Sequence, residues 1–117
     1  MGYRPSLITE PRDYGSQISG FNYNADEFEF ILDELFGIEY FNSDNQENFY
    51  EIENSEVEKL KTFEIEAESE ALSMLARDFD KSVDYVKNLA KNLKNSLISG
   101  LDTNYSKKLG YVAIEWF

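Results

Sequence analysis

Twenty-three carboxylates with no histidine and no cysteine leave carboxylates, hydroxyls and amines as the groups with which this chain could do chemistry. Without imidazole it lacks the commonest general base, the commonest zinc ligand and any Ser-His-Asp triad. Without thiols it has no disulfide, no thiolate metal site and no cysteine nucleophile. Phosphate-cradling motifs of the Gly-x-x-x-x-Gly-Lys and Gly-x-Gly-x-x-Gly types are absent from the sequence. Carboxylate pairs are so frequent in such a chain that their spacing marks no acid–base couple. The expectation is a protein that is not an enzyme, with no metal and no cofactor.

One oxygen-rich stretch tests that expectation. Asn42, Asp44, Gln46, Asn48, Tyr50 and Glu53 follow the ligand spacing of an EF-hand calcium loop. The first ligand is Asn rather than Asp, and Glu47 stands where the loop needs Gly for its sharp turn. The stretch therefore reads as a polar surface loop.

The placement of charge is more informative. From Asp13 to Glu58 there are 13 acids and no base. Residues 1–12 contribute +1, and residues 59–117 carry nine charges of each sign, so the net charge of −12 belongs to the 13–58 segment. Such a surface either keeps the protein soluble or meets a basic partner. Direct nucleic-acid binding is disfavoured, because 11 bases face 23 acids and no basic stripe with interleaved aromatics is present. The candidate partner-binding residues are Asp26, Glu27, Glu29, Phe30, Asp33, Glu34, Glu47, Glu51 and Glu53.

These residues need elements to position them. The 117 residues, 42% hydrophobic and 15% aromatic, suffice for one domain with its own core. Ser6–Thr9 and Gln17–Phe21 read as short strands around a turn at Arg12–Ser16. A first helix starts at an Asn24 cap, with Glu27 three residues on, and ends at Gly37. Phe28, Ile31, Leu32 and Leu35 form its apolar face. Phe30 then lies roughly 160–200° from the centre of that face, among Asp26, Glu27, Asp33 and Glu34. It is either a partner anchor surrounded by carboxylates or a ring covered by a second element such as the N-terminal hairpin.

Further on, Ile38–Phe41 reads as a brief strand, 42–48 as a loop and Phe49–Glu53 as an alternating strand. Ser55 with Glu58 signals a helix start. The region 56–79 fits a helix, broken near Ser69, although Phe63–Glu68 also alternates as a strand would. Ser82–Ser99 is a long helix capped by Asp80 and ended by Gly100, with Lys87, Lys91 and Lys94 along one flank. An Asn/Asp loop leads to a terminal strand, 111–117, with Val112, Ile114 and Trp116 on one face. The expected fold is α+β: one domain over 1–117, with a small, mainly antiparallel sheet and two or three helices on one face. If the last strand lies at the sheet edge, two copies could pair there, so monomer and two-fold homodimer are both open.

The uninterrupted acids from Asp13 to Glu58 and the aromatic-acidic mixture from Phe28 to Tyr50 resemble, as a style of protein, small acidic phage-encoded anti-defence inhibitors. These are the anti-CRISPR and anti-restriction DNA mimics. No family motif accompanies the resemblance, so no residue role comes with it. It implies a stoichiometric inhibitor that occupies the nucleic-acid groove of a CRISPR or restriction effector. Alternative readings are an immunity protein or antitoxin against a basic toxin, an accessory protein whose charge serves solubility, and a small carboxylate enzyme. No apolar run nears the roughly 20 residues that span a bilayer, no apolar signal segment follows Met1, and no polybasic patch would attract anionic lipid. The expected location is the cytoplasm, that of the host cell if a phage encodes the chain.

Overall fold

Val112, Ala113, Ile114 and Trp116 follow one another as a nearly unbroken apolar run, and all four are buried. A strand buried on both faces belongs in the interior of a sheet. The computed structural model describes residues 4–10, 13–18, 20–21, 25–42, 49–65 and 69–116. It contains strands β1 (Pro5–Glu10), β2 (Asp13–Gln17), β3 (Phe41–Asn42), β4 (Phe49–Glu53) and β5 (Tyr111–Trp116). They form one sheet in the order β2-β1-β5-β4-β3, and every pairing is antiparallel.

The last strand is therefore central. Leu7 lies opposite Ile114 on one side of β5, and Ile52 lies opposite Val112 on the other. This corrects the expectation that the C-terminal strand could expose an edge for a second copy. Its backbone groups already have neighbours on both sides, and the edges are β2 and β3.

Helices cover the sheet unequally. They are α1 (Ala25–Phe30), α2 (Asn54–Glu58), α3 (Glu70–Asp78), α4 (Val83–Gly100) and α5 (Asn104–Leu109). The α1 helix runs on as a π-helical turn over Ile31–Leu35, and α2 as a 3-10 turn over Lys59–Thr62. Val112, Ile114 and Trp116 project into the main core with Phe28, Ile31, Leu32, Leu89, Leu93 and Leu97. Ala113 points the other way and packs with Ile8 against Tyr105 of α5. The class is α+β as expected, with the main core on one face. The short α5 on the opposite face replaces the loop expected after residue 100.

Local signals account for much of this. In α4, Val86, Leu89, Ala90, Leu93 and Leu97 are buried at helical spacing. Its cap is Ser82, whose side chain accepts the Tyr85 N–H at 3.1 Å. The expected cap, Asp80, adopts a left-handed φ of 53° and forms the turn before it. Gly100 is the last residue of α4 rather than its terminator. A Cβ there would lie 2.8 Å from Val112 Cγ1, so glycine lets α4 close on β5. Gly37 and Gly110 do take left-handed conformations, at φ 64° and 83°.

Other elements moved. The second strand of the N-terminal hairpin is Asp13–Gln17 rather than 17–21, while Ile18 and Phe21 enter the core. Only Phe41 of the expected 38–41 strand pairs with a neighbour, together with Asn42. The region 56–79 is broken ahead of Ser69, as expected, and already at Phe63. Phe63 is extended, and α3 begins after Ser69 at its N-cap position. Tertiary contacts hold Phe63 in place: its ring meets Phe36 edge-on at 5.4 Å, and its carbonyl accepts the Lys94 ammonium. Lys94 is thus tied inward rather than left on a solvated flank. Asn24, residues 43–48 with Glu47, residues 66–68 and Phe117 lie outside the described residues, and so do the expected cap of the first helix and most of the expected 42–48 loop.

Candidate functional site

Alternation along β4 sorts its side chains. Tyr50 and Ile52 enter the core, while Glu51 and Glu53 face outward. The strand register then sets Phe41 of β3 opposite Glu51, and Tyr111 of β5 opposite Glu53. Glu39 and Tyr40, just before β3, and Glu56 in α2 complete a cleft of about 390 Å³. Four carboxylates and three aromatic rings from four places in the chain thus share one opening.

Helix α1 and its π-helical turn make a second acidic surface. Asp26, Glu29, Asp33 and Glu34 surround Phe30 and Phe79 in an open hollow. Three of the four carboxylates expected around Phe30 are among them. The exception is Glu27, which is buried with only 9% of its surface exposed. This removes Glu27 from the accessible partner-binding set, and Glu29 takes its place in the ring. Both residues flank the apolar stripe about 100° to either side, so helical spacing alone cannot choose between them. In the structure Glu27 is turned inward, while Glu29 stays half-buried beside the hollow, its Oε1 accepting the Tyr50 hydroxyl at 2.5 Å.

The Phe30 ring lies half-buried against Phe79, just after α3, with centroids 6.0 Å apart and planes at 90°. It is covered by a second element, as one of the two sequence readings had it. That element is the end of α3, not the N-terminal hairpin.

Tyr40 joins the two surfaces. It lines the cleft, and its hydroxyl donates to Asp33 Oδ2 at 3.2 Å in the helix patch. Its ring packs on Tyr50 at 5.7 Å. Burial, then the charges of Asp33 and Glu29, push the Tyr40 phenol well above its usual range. Burial, followed by the Glu51 charge, also raises the Tyr105 phenol, which donates to Glu51 at 3.4 Å.

Phenols raised in the folded state hold their protons more tightly than in the unfolded chain. The stability they provide is complete below the ordinary phenol value of about 10 and is lost as pH rises through the raised values. Tyr40→Phe should therefore flatten the decline of melting temperature on the alkaline side. An unchanged decline in Tyr40→Phe would show that this phenol is not coupled to the fold.

Opposite charges within the chain offset little of this field. Among the described residues the ion pairs are Lys59–Glu56 at 2.9 Å and Lys61–Glu58 at 3.0 Å. The Lys59 ammonium holds the Glu56 carboxyl below its usual range. Asp26, Glu29, Asp33, Glu34, Glu39, Glu51 and Glu53 have no ion-pair partner among the described residues. No three carboxylates there stand close enough to share a metal ion. The EF-hand spacing does not assemble across β4, because Tyr50 and Glu53 fall on opposite faces of that strand. No described helix is long and apolar enough to cross a membrane.

Sequence reasoning selected Glu51 and Glu53 but missed Glu39, Tyr40, Phe41, Glu56 and Tyr111. The alternation at 49–53 was a readable signal for the first two. Only the pairing of β4 with both β3 and β5 brings in Phe41 and Tyr111. Comparison of the chain with family models, with curated proteins and with solved structures finds no match.

Proposed function

We propose that this chain is a non-enzymatic inhibitor that docks its acidic surface on a basic partner protein, at a surface built to hold nucleic acid. The groove of a CRISPR or restriction effector is such a surface, and the host cytoplasm is where the two would meet. The observation that carries this reading is the adjoining pair of acidic surfaces, joined at Tyr40. Seven of their carboxylates have no ion-pair partner among the described residues. Uncompensated carboxylates gathered in one region produce a strong directional field that speeds encounter with a basic surface. Acids three or four residues apart on a helix have Cβ atoms about 5–6 Å apart, against roughly 3.4 Å per phosphate along a DNA strand. The imitation of DNA is coarse, and specificity must come from shape and aromatic contact.

Competition tests the reading. Increasing amounts of the chain are titrated against labelled duplex DNA bound to a purified effector, at low and at physiological salt. Stoichiometric displacement that weakens with salt is expected. Reversing Glu51 and Glu53 together to Lys should weaken displacement by at least about tenfold, or 1.4 kcal/mol, and leave the melting temperature nearly unchanged. If the reversed variant displaces DNA as well as the natural chain does, the acidic surface serves solubility alone.

A further inference from the structure

Resting on that docking reading, we infer that the cleft beside β3 and β4 is a guanidinium pocket, filled by an arginine side chain of the partner protein. Three features of the cleft select this occupant. The first is its residual charge. Lys59 already neutralises Glu56 at 2.9 Å, which leaves Glu39, Glu51 and Glu53 to meet an incoming cation. The second is the spread of these carboxylates. No three of the described acids stand close enough to hold a metal ion, whereas a guanidinium offers five N–H donors to acceptors in several directions.

The third is the aromatic wall. Phe41 is 60% exposed and lies across from Glu51, with Tyr111 across from Glu53. A flat, weakly hydrated guanidinium stacks on such rings, while a compact ammonium keeps its water. The Phe30 hollow lacks this feature, because Phe79 already occupies one side of its ring. The outer sheet face also leaves room for a partner. The α5 helix shields Ile8 and Ala113 there, and Phe41 and Glu53 remain exposed on the same face.

The test uses two blocked peptides of equal charge, alternating Gly with Arg in one and Gly with Lys in the other. Their affinities for the full chain are measured at low salt. The Arg peptide should bind about tenfold more tightly, as expected for a stacked cation. Amide shifts in a nuclear magnetic resonance titration should centre on Phe41, Glu51 and Tyr111. Phe41→Ala, at an exposed position, should abolish the preference for Arg and keep the Lys peptide affinity. Changing Asp26 to Asn and Glu34 to Gln, which lie in the Phe30 hollow, should preserve the preference. Equal, salt-sensitive binding of both peptides overturns the guanidinium pocket and leaves the acidic docking surface standing. Retention of the Arg preference in Phe41→Ala, or shifts centred on Asp33 and Glu34, overturns the pocket as well. If neither peptide binds the natural chain at low salt, the pocket and the docking reading fall together.

Discussion

Trp116→Ala should destabilise the fold by about 3–5 kcal/mol, the usual cost of truncating a large buried aromatic. Trp116 is 0% exposed and sits on the central strand. Its ring meets Phe28 edge-on at 5.4 Å and Phe21 at 6.3 Å. Phe28 in turn packs on Phe21 at 5.5 Å and on Tyr50 at 5.3 Å. Removing the indole leaves a cavity that three other rings cannot fill without losing contact with one another. A domain of this size loses roughly 3–6 °C of melting temperature per kcal/mol, so the drop should exceed roughly 10 °C. Urea unfolding should show a lower midpoint with an unchanged slope. A loss below about 1 kcal/mol would mean that the sheet does not depend on this aromatic cluster.

Phe30→Ala should lower stability by about 2 kcal/mol, less than a fully buried phenylalanine because the ring is only half-covered. The contact at risk is the edge-on packing with Phe79. Phe79→Ala should cost a similar amount, and the double variant should cost less than the two single losses combined. Thermal melts of the four proteins close this cycle. Additive losses would separate the two rings energetically. An unmoved melting temperature in Phe30→Ala, with weakened binding to a basic partner, would restore Phe30 as an exposed anchor.

The Phe30 case shows where sequence reading reaches its limit. Period 3.6 correctly gathers Phe28, Ile31, Leu32 and Leu35, all of which are buried. The same period sets Phe30 off that face, and the structure leaves it half-buried and edge-on to Phe79. Whether another element lies there is a long-range fact, and the end of α3 supplies it. Glu27 and Glu29 make the same point, since the helix flanks are equivalent until distant elements pack against one of them, and it is Glu27 that is buried.

From the sequence alone came the α+β class, the long helix expected at 82–99 and found at 83–100, the outward carboxylates of β4, the apolar alternation of β5 and the confinement of net charge to 13–58. The helix and the two strands depend on residues a few positions apart, whose spacing the backbone geometry makes periodic, and the charge is a count along the chain. The α5 helix had signals of that kind too. Thr103 caps it by accepting the Ser106 N–H at 3.1 Å, and Gly110 follows it in a left-handed turn. Six residues rich in polar side chains show no apolar stripe, so those signals were outweighed by the loop-like composition. The tertiary structure decided the rest: the central place of β5, the break at Phe63, the cover over Phe30, and the cleft of Glu39, Phe41, Glu51 and Tyr111. Those features depend on which distant segments become neighbours. Strand pairing and helix docking are chosen by total burial and polar satisfaction over the whole chain, a sum that no local window contains.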